Sequence, residues 1–218
     1  GNIPYARQSI SQCDIDAVID VLHSNYLTQG PMVPAFERFL ANYVGAKYSY
    51  ALNSATSALH IACRALGVTS GDTVWTSPNT FVASSNCALY CGASVDFVDI
   101  DPLTYNLSPE RLEEKLVLAQ KENNLPKVVI PVHFCGQPCD MRAIHRLSKI
   151  YGFSIIEDAS HAIGAEYESQ KVGCGKFSDI SVFSFHPVKI ITTCEGGMAV
   201  TNHEHIANKL RVLRSHGI

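Results

Sequence analysis

A lysine in apolar surroundings is the first residue of this 218-residue chain that could do chemistry. Lys189 stands in Phe183-Ser184-Phe185-His186-Pro187-Val188-Lys189-Ile190-Ile191, and its nearest carboxylate in sequence is Glu195. Taking an ammonium out of water lowers its pKa and leaves a neutral, nucleophilic amine. A Schiff base with a carbonyl cofactor requires an amine in that state. A lysine taken alone more often lays its stem on apolar surface and keeps its head in water, so context must decide. Asp158 closes a second apolar stretch, Ile155-Ile156-Glu157-Asp158-Ala159-Ser160-His161-Ala162. A carboxylate at the end of a buried strand can keep a pyridinium nitrogen protonated, which turns a pyridoxal ring into an electron sink. It can equally cap a turn. His161 could flank such a ring or be an ordinary surface histidine.

Two further segments carry complementary chemistry. Asn53-Ser54-Ala55-Thr56-Ser57 opens a helix with small hydroxyl residues. Free backbone N–H groups at the positive end of a helix cradle a phosphate, although an ordinary N-cap has the same composition. Phe81 could stack on an aromatic ring or pack in a core.

These residues need elements to bring them together. Strand patterns fall at 48–52, 73–76, 94–98, 127–132, 153–158, 180–185 and 197–201. Ser11-x-x-Asp14 resembles a capping box, and Ile15, Val18, Ile19 and Leu22 follow on one helical face. Val33, Phe36, Leu40 and Tyr43 make a second stripe closed by Gly45. Further helices are predicted from Ser54 to Gly67, over 81–90 with Phe81 at its start, from Ser108-Pro109 to about 118, from Asp140 to about 151, and over 203–214. Strand–helix alternation argues for an α/β domain, its sheet mostly parallel and covered on both faces. Ligands in such sheets bind at the carboxyl ends of strands. The loops at 53–57, 77–81, 158–161 and 184–189 all lie there.

Composition narrows the alternatives. Apolar residues make up 46% and charged residues 17%, too hydrophobic for a disordered chain. Seventeen Lys+Arg against 20 Asp+Glu give a net charge of −3, so no basic surplus exists for nucleic acid. No apolar run approaches the ~20 residues of a membrane helix. The opening residues 1–7 lack the apolar stretch of a signal peptide, and none of the 8 cysteines forms a C-x-x-C pair. A cytoplasmic protein with reduced thiols is the expectation. Cys63 falls on the apolar stripe of its helix and reads as a small buried thiol. His133-x-Cys135-x-x-x-Cys139 could suggest a metal, but the cysteines fall in a Gly/Pro turn, and no metal is expected. Gly173-Cys174-Gly175-Lys176 lacks dinucleotide-loop spacing and reads as a hairpin.

In this order, Asn53-Ser54-Ala55-Thr56-Ser57-Ala58-Leu59, Glu157-Asp158-Ala159-Ser160-His161-Ala162, Ser184-Phe185-His186-Pro187-Val188-Lys189 and Glu195-Gly196-Gly197 resemble the DegT/DnrJ/EryC1/StrS family of pyridoxal-phosphate sugar aminotransferases. The resemblance spans essentially the whole chain. Within the family, Ile3-Pro4-Tyr5 and Tyr26-Leu27-Thr28-Gln29-Gly30-Pro31 resemble the branch acting on a UDP-4-keto-6-deoxy-HexNAc in pseudaminic acid synthesis.

The resemblance implies the type I aminotransferase fold, whose large domain has a mostly parallel seven-stranded sheet between helices. Lys189 would be catalytic, bonding pyridoxal phosphate and moving the proton between its C4′ and the sugar C4. Asp158 would pair with the pyridine nitrogen. Ala55 (through its backbone), Thr56 and Ser184 would hold the phosphate, Phe81 would stack on the ring and His161 would flank it. Tyr5, Asn25, Tyr26, Leu27 and Thr28 would line the nucleotide-sugar pocket. The partners implied are that sugar, an amino donor (usually glutamate) and a second copy in a homodimer. Residues 1–218 would be the cofactor-binding large domain, helical over 1–45 and sheet-forming from about 46, without the family's small C-terminal domain. Dehydratases of the family carry His where Lys189 stands, which favours transamination. The competing reading is an inactive domain that binds cofactor weakly or only associates. One departure stands out: Cys194 replaces the usual Gly before Glu195-Gly196-Gly197, and its Cβ would strain a turn with positive φ.

Overall fold

Seven strands pair into one sheet in the computed structural model, which describes residues 2–218. They are β1 (Tyr48–Leu52), β2 (Thr73–Thr76), β3 (Ser94–Phe97), β4 (Val128–Ile130), β5 (Ser154–Asp158), β8 (Ile180–Ser184) and β9 (Gly197–Thr201). The short strands β6 (Glu166–Tyr167) and β7 (Gln170–Lys171) form a separate hairpin. The order across the sheet is β1-β9-β8-β5-β4-β2-β3. Pairs from β8 through β5, β4 and β2 to β3 are parallel, and β9 runs antiparallel to both β8 and β1. This is the mostly parallel α/β sheet expected from the alternation of elements.

Helix α1 (Gln12–His23) precedes the sheet, and α2 (Met32–Val44), α3 (Ala55–Ala65), α4 (Ala83–Leu89), α5 (Pro109–Lys121), α6 (Met141–Tyr151) and α7 (Glu204–Arg214) cover its two faces. Every residue of β8 and β9 is buried, as strands covered on both sides require. Ile156, Val182 and Ala199 pack with α3, α4 and α7. On the other face, Ile155 packs with α5 and α6, while Phe183 and Met198 meet Leu40 and Val44 of α2. Side chains alternate along a strand, so Asp158 shares the Ile156 face and Glu157 the Ile155 face. Leu59 of α3 is 1% exposed; a Leu→Ala change at such a site costs about 2–5 kcal/mol.

Local sequence signals set the helix ends. Ser11 and Asp14 close both halves of the capping box. Ser54, Ser108 and Asp140 each accept a first-turn amide, and Pro109 stands at the start of α5. Gly67 follows α3 with φ 78°. Two expectations need correction. The helix predicted at 81–90 starts at Ala83, because Val82 enters it without a side-chain cap and leaves Phe81 in the preceding loop. The hairpin reverses at Glu168-Ser169, both at positive φ, rather than at 173–176. Gly173 serves close packing instead: a Cβ there would lie 2.6 Å from the Phe183 ring.

The N-terminal helix differs from the rest. No residue of α1 is buried, and Val18 and Leu22 are 60% and 62% exposed. Among the described residues, no helix is long and apolar enough to cross a membrane.

Candidate active site at the carboxyl edge of the sheet

A cavity of about 310 Å³ opens where β5 and β8 end and α3 begins. Ala55, Thr56, Phe81, Asp158, His161, Ser184 and Lys189 all line it, so the structure brings the loops at 53–57, 77–81, 158–161 and 184–189 to one place. Their convergence follows from topology. In the order β1-β9-β8-β5, the parallel pair β5–β8 carries Asp158 and Ser184 to the same edge, while the turn after β1 places α3 across it.

The two charged groups sit in different settings. Asp158 is 4% exposed, with both oxygens engaged. Ser160 donates its hydroxyl at 2.6 Å and its amide at 3.1 Å to Oδ1, and Ser84 donates its hydroxyl to Oδ2 at 2.6 Å. Lys189 is half-buried. Burial lowers its pKa from the ordinary lysine value, and the Asp158 charge opposes that shift. Burial also lowers the pKa of His161; the Lys189 charge adds to the effect and Asp158 opposes it. The cavity therefore offers an ionic acceptor, an amine biased toward its nucleophilic form and an imidazole biased toward neutrality.

The start of α3 supplies donors. Ser54 Oγ accepts the Ser57 amide, and the Ser54 carbonyl accepts the Ala58 amide. Among the described residues, the amides of Ala55 and Thr56 have no acceptor within the chain, as expected for a first turn. Gly197 at the start of β9 lies so close to this turn that a Cβ there would collide with the Ser54 carbonyl carbon and the Ala55 nitrogen. This set of groups fits pyridoxal phosphate: an amine for its carbonyl, a carboxylate for its ring nitrogen, two free amides at a positive helix end for its phosphate and the largely exposed Phe81 on the cavity wall as an aromatic face.

The residues expected around a nucleotide sugar lie elsewhere. Tyr26, Leu27 and Thr28 line a second cavity of about 1110 Å³, which reaches the other side of α3 at Ser57 and Arg64. Asn25 is exposed and lines neither cavity, and Tyr5 is 94% exposed. Among the described residues, the segment before α2 contains no buried residue, so its packing does not draw it to Lys189.

Cys194 adopts φ 66°, so the Cβ at this position does sit in the left-handed region. The neighbouring carboxylate, Glu195, lines the Lys189 cavity. His133 is fully buried on the opposite face. Its Nδ1 accepts the Cys139 amide at 3.1 Å and its Nε2 lies 2.8 Å from Glu157 Oε2. Glu157 pulls the imidazole toward protonation and burial pushes against it, but an N–H aimed at Nδ1 leaves no room for a proton there. His133 is thus held as the neutral tautomer with its proton on Nε2, donating to Glu157.

A model of the DegT/DnrJ/EryC1/StrS aminotransferase family matches residues 8–218. The chain belongs to this family. It is 46% identical over 216 residues to the UDP-4-amino-4,6-dideoxy-N-acetyl-beta-L-altrosamine transaminase of Campylobacter jejuni, covering 99% of this chain and 56% of that protein. It is 40% identical over 216 residues to the spore coat polysaccharide biosynthesis protein SpsC of Bacillus subtilis, covering 99% and 54%. The solved structure of Helicobacter pylori PseC, an aminotransferase involved in the biosynthesis of pseudoaminic acid, superposes with a TM-score of 0.91 at 36% identity, covering 98% of this chain and 56% of that one. The chain thus spans about half the length of the curated relatives it matches.

Some members of the site are not singled out by the sequence reading. Ser160 lies inside the quoted Asp158 motif and could have been found as a local turn partner. His186, three residues before Lys189, also lines the cavity. Ser84 is 74 residues from Asp158 along the chain, and nothing local in its helix marks it.

Proposed function

We propose that this chain is the cofactor-binding large domain of a pyridoxal-phosphate-dependent aminotransferase. Its substrate would be a UDP-4-keto-6-deoxy-HexNAc aminated at C4, with glutamate as donor, in a pathway of the pseudaminic acid type. The single observation that carries the reading is Lys189 and Asp158 in one cavity at the N-terminus of α3. The named transaminase relative supports the sugar class.

Pyridoxal phosphate, when bound, supplies an electron sink for a carbanion next to nitrogen. The chain's own residues do the rest. The Ala55 and Thr56 amides bind the phosphate, aided by the Thr56 and Ser184 hydroxyls and the positive end of α3. Phe81 would stack on the ring and His161, biased toward neutrality, would flank it without adding charge. Asp158 keeps a proton on the ring nitrogen. The Lys189 amine would hold the cofactor through its carbonyl and, when free, would move a proton at the sugar C4. Tyr5, Asn25, Tyr26, Leu27 and Thr28 contact the nucleotide sugar in the complete enzyme, which works as a homodimer in the cytoplasm.

The test is chemical trapping. Protein mixed with pyridoxal phosphate should turn yellow, and borohydride should fix the label on Lys189. Label on Lys171 or Lys176 with none on Lys189 would refute the assignment. In a separate sample without borohydride, incubation of the complete enzyme with the UDP-4-keto sugar and glutamate should yield the 4-amino sugar.

A further inference from the structure

Asp158 is gripped from α4 as well as from its own loop. Ser84, 0% exposed, places its hydroxyl 2.6 Å from Asp158 Oδ2, and Thr80 Oγ1 lies 2.7 Å from Ser84 Oγ. An ionised carboxylate only accepts hydrogen bonds, so Ser84 must donate to it. The Ser84 oxygen is then left to accept from Thr80. The hydroxyls form a directed chain from Thr80, which lines the cavity, through Ser84 to the inner oxygen of Asp158.

Packing gives no other reason for a hydroxyl at this position. Ser84 is surrounded on α4 by Ala83, Cys87 and Ala88, all buried in the apolar cluster under α3. Alanine would be the better helix former, and a hydroxyl buried there is costly unless it finds a partner. The partner is Asp158. The 2.6 Å separation is that of a charge-assisted O–H···O⁻ bond. Ser160 belongs to the same loop as Asp158 and moves with it, whereas Ser84 belongs to a different element. Among the described residues, the Ser84 hydroxyl is the one hydrogen bond that joins the carboxylate to another element.

Resting on the cofactor site proposed for this cavity, we propose that Ser84, oriented by Thr80, is a positioning residue: it turns the Asp158 carboxylate toward the cavity and holds it as the acceptor for the N–H of a bound pyridine ring. Ser84 touches neither cofactor nor substrate and acts through Asp158.

The experiment loads the protein with pyridoxal phosphate isotopically labelled at the ring nitrogen and reads that nitrogen's chemical shift, which distinguishes the protonated from the bare ring. Wild type should show the protonated form, and Asp158→Asn the bare form. Ser84→Ala should lose ring protonation at a lower pH than wild type, by up to about one unit, because a carboxylate no longer held toward the ring N–H pairs with it less well. Thr80→Val, which keeps the side-chain shape, should shift in the same direction by less, and Ser84→Thr should restore the wild-type signal by returning a hydroxyl. Should Ser84→Ala fail to fold, Thr80→Val decides. A wild-type nitrogen signal in Ser84→Ala and Thr80→Val, with Asp158→Asn altered, overturns the role of Ser84. An unaltered signal in Asp158→Asn overturns instead the assignment of Asp158 on which it rests.

Discussion

Around the end of β5 every carboxylate oxygen has a donor, whereas along α1 no residue is buried at all. Asp158 receives Ser84 and Ser160 on one face of the sheet; Glu157 receives His133, Ser178 and Ser181 on the other. The α1 helix has equally regular local signals, a complete capping box and an apolar stripe of Ile15, Val18, Ile19 and Leu22, yet no residue of that stripe is buried. Local pattern decides that a helix forms; what it packs against is a separate matter. Sensitivity to substitution should therefore be steep at the end of β5 and shallow along α1.

The largest effect belongs to Lys189. Lys189→Ala should abolish both borohydride labelling and transamination, while its thermal midpoint stays at or above wild type because a half-buried cation is removed. Collapse of the fold instead would make Lys189 a structural residue. Asp158→Asn comes next. It should leave the fold intact and slow proton transfer by orders of magnitude in single-turnover measurements; a wild-type rate would reduce Asp158 to a turn cap.

On the opposite face, Glu157→Ala should leave His133 and two serines without their acceptor in a buried site. The expected loss is about 1–3 kcal/mol in urea unfolding, the cost of a buried donor left unpaired, felt in stability where Asp158→Asn is felt in rate. If the two neighbours exchanged these effects, the division between the faces of β5 would be wrong.

His161 gives a pH-dependent difference. Its pKa is lowered in the fold from 6.5, chiefly by burial. Between its folded and unfolded pKa values the unfolded chain binds more protons, so stability rises with pH through that window. His161 should be neutral and without cost above about pH 6.5, and should reduce stability as pH falls through its folded pKa. Urea titrations of wild type and His161→Asn should diverge only on the acid side; parallel profiles would place the imidazole in solvent.

The smallest effect is expected in α1. Val18→Ser should change stability by no more than about 0.5 kcal/mol, as for an ordinary surface position. A larger loss would show that the apolar stripe is covered in solution.

Elements and site were legible to different degrees for a physical reason. Periodicity, caps and glycine stops report on contacts within a few residues, so the strands, Ser54, Ser108, Asp140 and Gly67 could be read directly. Phe81 was displaced from its predicted helix because Val82 enters without a cap, a weaker signal than the apolar run that follows. Lys189 and Asp158 stand out because a charge at the end of an apolar segment is unusual in one dimension. Tyr26, Leu27 and Thr28 were expected to line a nucleotide-sugar pocket through resemblance alone, and in this chain they line the cavity on the other side of α3.

Sequence alone therefore determined the alternation of strands and helices, the parallel α/β class and the loops that meet at one sheet edge, because these follow from side-chain periodicity and local hydrogen bonding. Tertiary structure alone decided that Ser84 reaches Asp158 across 74 residues, that Glu157 turns away to a neutral His133, and that Cys194 carries its Cβ at φ 66°. Those outcomes depend on how α4, β4 and β8 pack around β5. A hydrogen bond a few ångströms long between distant segments leaves no periodic trace in either of them.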